Sequence, residues 1–228
     1  MISHTIALDV YGTLIDTAGV LSALAQIVGE QQAAPLSNLW RTKQLEYSFR
    51  RGLMGRYVDF SVVTKEALEH SCQVFRIDMK PSDVDQLMQE YRTLPPYRDT
   101  KHGVEQLKES GHQVYAYSNG SNKAVTELLR QASVHHLLDG VVSMEDVKTF
   151  KPNPIGYNHF CESTGCKPQQ AWLVSGNNFD VIGAKSFGMH TAWLKRNPDA
   201  IFDPMGYEPT LTISTLTDLA HAIDELHS

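Results

Sequence analysis

The strongest constraint on the fold is a recurrence of short apolar runs, several of them ending in a polar residue, separated by stretches of helical periodicity. They read HTIALD at 4–9, QVYAYS at 113–118, LDGVVS at 138–143, AWLVS at 171–175 and HTAWL at 190–194. Each is flanked on one or both sides by helical patterns, and strands that alternate with helices build a parallel, doubly wound α/β sheet. LTISTL at 211–216 is expected to add an edge strand before a C-terminal helix ending near His227. Gly111 after VEQLKES and Ser121 before Val125, Leu128, Leu129 and Ala132 mark a helix end and a helix start. Pro152 and Pro154 should open another helix, with Ile155 and His159 on one face.

From residue 15 to 95 the pattern changes. Leu21, Leu24, Ile27 and Val28, then Leu45, Phe49 and Leu53, then Val84, Leu87, Met88 and Tyr91 recur at helical spacing. A helical insertion therefore follows the first strand, and Pro95-Pro96, which cannot continue a helix, marks the return. The expected organisation is an α/β core of residues 1–15 and 96–228 with a helical cap of residues 16–95.

Hydrophobic residues at 42% supply a packed core, and charged residues at 20% are too few for disorder. The net charge of −6, with no Lys and Arg run interleaved with aromatics, argues against a nucleic-acid partner. No stretch approaches the ~18 apolar residues of a membrane span, and the N-terminus lacks a basic start before an apolar run. A cytoplasmic location is expected. Cys72, Cys161 and Cys166 form an odd set without CxxC spacing, poor material for a disulfide framework or zinc site, and read as reduced bystanders.

In an open parallel sheet, ligands gather beyond the carboxyl ends of the strands. Three expected strands end there in Asp9, Ser118 and Ser175, with Asn119, Gly120, Lys151, Asn177 and Asp180 close by in sequence. A strand-end Asp serves as nucleophile, metal ligand or turn cap. A lysine beside it would lower its pKa and keep it ionised for attack. Taken singly, Asp9 is as readily a turn cap, Lys151 a solvated lysine, and Ser118 and Ser175 caps. Four such signals in order at strand ends carry more weight than any one.

Asp9-Val10-Tyr11-Gly12-Thr13, Ser118-Asn119-Gly120, Lys151-Pro152-Asn153-Pro154 and Ser175-Gly176-Asn177-Asn178-Phe179-Asp180 together resemble the motifs of the haloacid dehalogenase superfamily. The resemblance runs the length of the chain and implies a Rossmann-like core, an inserted cap and an Asp9 nucleophile. Phosphatases of that superfamily carry a second Asp two residues after the nucleophile, an acid and base whose backbone carbonyl helps to hold Mg²⁺. Here that position is Tyr11, and the last motif offers Asn177, Asn178 and a lone Asp180 instead of paired acids. Asp9 and Asp180 balanced against Lys151 and Arg41 have little need of a divalent ion, so no metal and no cofactor is expected.

LWRTKQLEYSFRRGLMGRYVDF at 39–60 closely resembles the cap segment of the L-2-haloacid dehalogenases (type II), with Arg41 at the position of the arginine that assists the departing halide. Arg41 lies four residues before Leu45 and eight before Phe49, which on a helix sets its guanidinium on the face of an apolar stripe. An apolar cleft with one cation suits a small halogenated acid.

The resemblance implies hydrolysis of short L-2-haloalkanoates or haloacetates to 2-hydroxy acids and halide, with inversion, through an ester on Asp9. It gives Thr13 and Ser175 the orientation of Asp9, and gives Ser118 and the turn amides after Asp9 the substrate carboxylate. Arg41, Asn119 and Phe179 would receive the halide. Lys151, Asn177 and Asp180 would position water, Tyr157 matches a family active-site tyrosine, and Tyr11 and Leu45 would line the substrate pocket. Phe179 stands where some members carry Trp, and Gly176 replaces the second residue of a common Ser-Ser pair. A homodimer is implied as well. Two other readings remain open: a Mg²⁺-dependent phosphatase of the same superfamily, and a non-catalytic domain whose Asp9 accepts a phosphoryl group or caps a turn.

Overall fold

The computed structural model describes residues 3–226, and among these the five strands read from the apolar runs all form, with a sixth at the edge. They are β1 (Thr5–Asp9), β2 (Gln113–Ser118), β3 (Gly140–Ser143), β4 (Ala171–Ser175), β5 (His190–Leu194) and β6 (Leu211–Ile213). They make one sheet in the order β3-β2-β1-β4-β5-β6, and every pairing is parallel. β1 and β4 are buried along their whole length, as strands covered on both faces must be.

The chain winds from β1 to one side through β2 and β3, then to the other through β4 to β6. The order therefore reverses between β1 and β4, which is where such sheets open a ligand crevice. Leu8 pairs with Val174, so Asp9 and Ser175 end side by side, and Asp9 pairs with Tyr117, one residue before Ser118. Side chains alternate between faces along a strand. Ile6 and Leu8 enter one core cluster, while Ala7 enters the other with Tyr117, Tyr157, Phe160 and Leu173. Asp9, two residues beyond Ala7, projects on that second face.

The core helices are α5 (Thr100–Glu109), α6 (Asn122–Gln131), α7 (Pro154–Thr164), α8 (Asn178–Phe187) and α9 (Leu219–Leu226). Between β1 and α5 stand the cap helices α1 (Leu21–Val28), α2 (Glu30–Met54), α3 (Phe60–Phe75) and α4 (Pro81–Glu90). Chain leaves and re-enters the sheet layer side by side: Ile15 bridges Pro96, and the Asp16 amide donates to the Pro95 carbonyl at 2.8 Å.

Some local readings need correction. β3 begins at Gly140 rather than 138, and α7 turns Ile155 outward, 56% exposed, while Gly156, Tyr157, Phe160 and Cys161 face the core. In α2 the packed face is Ala33, Leu36, Trp40, Gln44 and Ser48, and Leu53 is 90% exposed. The apolar stripe read through Leu45 and Phe49 is the half-buried neighbouring face; the true packing face is disguised by two polar residues. The expected end at His227 lies outside the described residues.

Candidate active site

Asp9 is buried, and its two oxygens are treated differently. Oδ2 accepts from the Thr13 hydroxyl at 2.6 Å, the Ser175 hydroxyl at 3.1 Å and Asn177 Nδ2 at 2.8 Å. Oδ1 accepts from Lys151 Nζ at 2.7 Å. The direction of the hydroxyl protons follows from their other contacts: Thr13 Oγ1 accepts from the Gly176 amide at 2.9 Å and Ser175 Oγ from the Asn177 amide at 3.0 Å. Each hydroxyl is left to donate toward Asp9.

Lys151 is 1% exposed and uses all three of its protons, on Asp9 Oδ1, on Asp180 Oδ2 at 2.6 Å and on the Tyr117 carbonyl at 3.1 Å. A buried ammonium persists only when so paired. Asp180 is fully buried, and its second oxygen accepts from the Tyr157 hydroxyl at 2.9 Å. Burial would raise the pKa of Asp9, but the charge and hydrogen bond of Lys151, aided by Thr13, outweigh it and hold the carboxyl below its usual range. Asp180 differs: burial and the Asp9 charge prevail over Lys151, and its pKa is pushed up to about 6. Burial first, then the Asp180 charge, keeps the Tyr157 phenol protonated and a donor.

Arg41 reaches this cluster from the cap. Its Nη2 donates to Asn177 Oδ1 at 3.1 Å, on the same side chain whose Nδ2 holds Asp9, and its Nη1 donates to Gln44 Oε1 at 2.6 Å. Gln44, which the sequence reading missed, is 1% exposed; its Oε1 also accepts from the Tyr91 hydroxyl at 3.2 Å, and its Nε2 donates to Thr64 Oγ1 at 2.6 Å. The amide orientation is chemically fixed, because a guanidinium only donates and the Thr64 proton is committed to the Phe60 carbonyl. A second unread contact is Arg196, whose Nε and Nη2 grip the Thr13 carbonyl at 3.1 and 2.6 Å while its Nη1 binds both oxygens of Asp99 at 2.7 Å.

The remaining expected residues surround this centre. Ser118 Oγ accepts from the Gly120 amide at 3.1 Å, and Asn119 Oδ1 accepts from the Lys151 amide at 2.8 Å, tying the second motif to the third. Tyr11 stacks against Tyr91, with ring centroids 5.7 Å apart, in a cleft of 350 Å³ that Phe60, Thr64, Gly120 and Ser121 also line. Phe179 meets Phe49 of the cap edge to face at 5.0 Å. Leu45, one turn beyond Arg41 on α2, is half-buried and takes no part in the polar cluster. Gly176 has its own reason: a Cβ there would collide with the Gly12 carbonyl oxygen, so a second serine does not fit this backbone.

The carbonyl of Tyr11, the position that holds Mg²⁺ in the phosphatases, accepts from Asn177 Nδ2 at 3.0 Å. An ammonium, not an open space, lies between the Asp9 and Asp180 carboxylates. Among the described residues no group of three or more His, Cys, Asp and Glu is placed to hold a metal, and no helix is long and apolar enough to cross a membrane. The geometry provides an ionised carboxylate with three donors on Oδ2 and one on Oδ1, a second buried carboxylate of raised pKa and a cation on the cap side.

Residues 6–194 match the family model described as haloacid dehalogenase-like hydrolase. An (S)-2-haloacid dehalogenase of Pseudomonas putida is 36% identical over 216 residues, covering 94% of this chain and 95% of its own. A haloacetate dehalogenase of a Moraxella species is 32% identical over 221 residues, covering 96% and 97%. The solved L-2-haloacid dehalogenase from Xanthobacter autotrophicus superposes with a TM-score of 0.89 at 29% identity, covering 98% of this chain and 99% of that one; with chloropropionic acid covalently bound the TM-score is 0.86. This chain belongs to the haloacid dehalogenase-like hydrolases and, within them, to the L-2-haloacid dehalogenase family.

Proposed function

We propose that this protein is an (S)-2-haloacid dehalogenase that converts short L-2-haloalkanoates or haloacetates to 2-hydroxy acids and halide. The observation that carries this reading is the asymmetry of Asp9 beside Arg41: Oδ2 is held by three donors, Oδ1 by Lys151 alone, and the cap cation lies one side chain away. The substrate carboxylate is held by the Ser118 proton and by an amide of the turn after Asp9. Those of Gly12, Thr13, Leu14 and Ile15 donate within the turn and that of Val10 continues the β1–β2 ladder, which leaves the Tyr11 amide for that cradle. Asp9 Oδ1 attacks Cα opposite the halogen, and the C–halogen electron pair leaves as halide toward Arg41, the Asn119 amide nitrogen and Phe179.

Water then adds to the Asp9 ester carbonyl. Negative charge develops on Oδ2, where the Thr13, Ser175 and Asn177 donors stand ready as an oxyanion hole. Asp180 takes the water proton, with Lys151 and Tyr157 fixing its two oxygens. The adduct then collapses, the Cγ–Oδ1 bond breaks, and the 2-hydroxy acid leaves with Oδ1 after taking that proton, while the water oxygen stays on Asp9. Asp180 must be ionised to act, so kcat should fall on acidification; its pKa of about 6 includes the Asp9 charge, which esterification removes, so the fall should begin below 6. A profile of halide release that rises as pH falls below 6 would remove Asp180 as the base.

Gln44 and Arg196 act as positioning residues in this scheme. Gln44 aims Arg41 without neutralising it, so Gln44→Glu should cost about 10- to 100-fold in kcat and weaken inhibition by bromide. Bromide inhibition unchanged in that variant would contradict the halide role of Arg41. Tyr11 and Leu45 line the alkyl pocket.

The phosphatase reading is disfavoured by Asn177 on the Tyr11 carbonyl and by Lys151 between the carboxylates. Halide release should be unchanged by EDTA, and phosphate esters should not turn over. Loss of turnover with chelator, restored by Mg²⁺, would reverse the ranking.

The same reading divides the chain into a core of residues 1–15 and 96–228 and a cap of residues 16–95, and takes the protein as cytoplasmic and homodimeric. Exposed Leu53 and Met54 of the cap supply apolar surface for self-association. A monomer mass by light scattering at micromolar concentration would remove the dimer.

A further inference from the structure

We propose that Cys166 and Cys161 form a hydroperoxide-reactive thiol pair that closes to a disulfide. The argument starts from the end of α7. Gly165 takes a left-handed φ of 70°, and the Cys166 amide donates to the Cys161 carbonyl at 3.1 Å, the six-to-one bond of a Schellman turn. That turn brings the side chains of its first and sixth residues together, normally as an apolar contact. Here both are cysteines, so the turn sets the Cys161 thiol beside the Cys166 sulfur.

The two sulfurs differ in ways that suit attack and resolution. Cys161 is 6% exposed and Cys166 is partly exposed, and both are free thiols. Thr164 Oγ1 lies 3.2 Å from the Cys166 sulfur and shares its proton between that sulfur and the Phe160 carbonyl at 2.8 Å. The neighbouring Cys161 thiol lowers the Cys166 pKa against the opposing effect of burial, while the same pairing and burial raise Cys161. A partly exposed cysteine set beside a second free thiol by a helix-terminating turn is the arrangement of an oxidation-sensitive pair.

The chemistry balances with a hydroperoxide as oxidant. The Cys166 thiolate attacks the terminal peroxide oxygen, the O–O bond breaks, and the alcohol or water leaves after taking a proton, giving a sulfenic acid. The Cys161 sulfur then attacks the Cys166 sulfur, the S–O bond breaks, and water departs with the Cys161 proton. Two thiols lose two electrons and one peroxide gains them. The sequence reading of these cysteines as inert reduced bystanders is revised accordingly; CxxC spacing is unnecessary when a helix-terminating turn supplies the approach.

The experiment is thiol mapping of the whole reduced protein, exposed briefly to hydrogen peroxide and quenched with iodoacetamide, and it needs no dehalogenase substrate. The peptide carrying both cysteines should become lighter by two hydrogens and lose both alkylation sites, while buried Cys72 stays reduced. Before oxidation, Cys166 should alkylate about tenfold faster than Cys72 at pH 7. Cys161→Ser should leave a dimedone-trappable sulfenic acid on Cys166, and Cys166→Ser should give neither product. The proposal fails if wild-type Cys161 and Cys166 both remain alkylatable at peroxide exposures that oxidise free glutathione, or if Cys166 alkylates no faster than Cys72.

Discussion

Asp9→Asn should abolish turnover, with a loss on the order of 10⁴-fold or more in kcat. An amide in place of the carboxylate cannot displace halide from saturated carbon. Its oxygen, set where Oδ2 now lies, would still receive Thr13, Ser175 and Asn177, but its NH₂ would then face the Lys151 ammonium, a donor against a donor. A stability loss of about 1–3 kcal/mol should accompany the kinetic one. The wild-type counterpart is isotopic. In a single turnover with excess enzyme in ¹⁸O water, the ester carbonyl of Asp9 is where water adds, so label should be found in the Asp9 carboxylate by peptide mass. Label confined to the hydroxy acid would mean that water attacks Cα directly, and the ester route would be lost.

How the sequence conveyed this site, and where it stopped, follows from the physics of each residue. Asp9, Ser118 and Ser175 were legible because a strand that ends in a polar group after a buried run is unusual, and the sheet places such ends together at its switch point. Lys151 was legible only through company: alone it reads as a surface lysine, and its 1% exposure depends on two carboxylates supplied by β1 and α8. The functional roles came from resemblance to a family, not from periodicity. Gln44 escaped because a polar residue on a packed helix face looks like a break in the apolar pattern. A signal was present, however: Trp40, Gln44 and Ser48 repeat every four residues on the face that carries Leu36. Arg196 and Asp99 gave no local signal at all, since their pairing joins loops 97 residues apart.

Lys151→Met should be the most damaging change after loss of the nucleophile, in both activity and stability. The substitution keeps the length of the side chain and removes the cation that touches both Asp9 Oδ1 and Asp180 Oδ2. Two buried carboxylates would face each other without it, and breaking a buried pair from one side costs about 3–5 kcal/mol. In wild type Asp9 has a lowered pKa, so its contribution is present at neutral pH and is lost as pH falls through that lowered value. In the variant both carboxyls should titrate above their unfolded values, so protonation favours the folded state and stability should rise as the solution is acidified. The gap between variant and wild type should accordingly be widest at neutral pH and narrow toward about pH 4, the ordinary carboxylate range. Urea denaturation at two pH values measures this directly. Activity should fall with the protonation of Asp9, because a neutral carboxyl is a poor nucleophile and Asp180 has lost the partner that orients it. An equal stability loss at both pH values would mean that Lys151 acts by packing alone, and the charge logic that links Asp9, Lys151 and Asp180 would have to be abandoned.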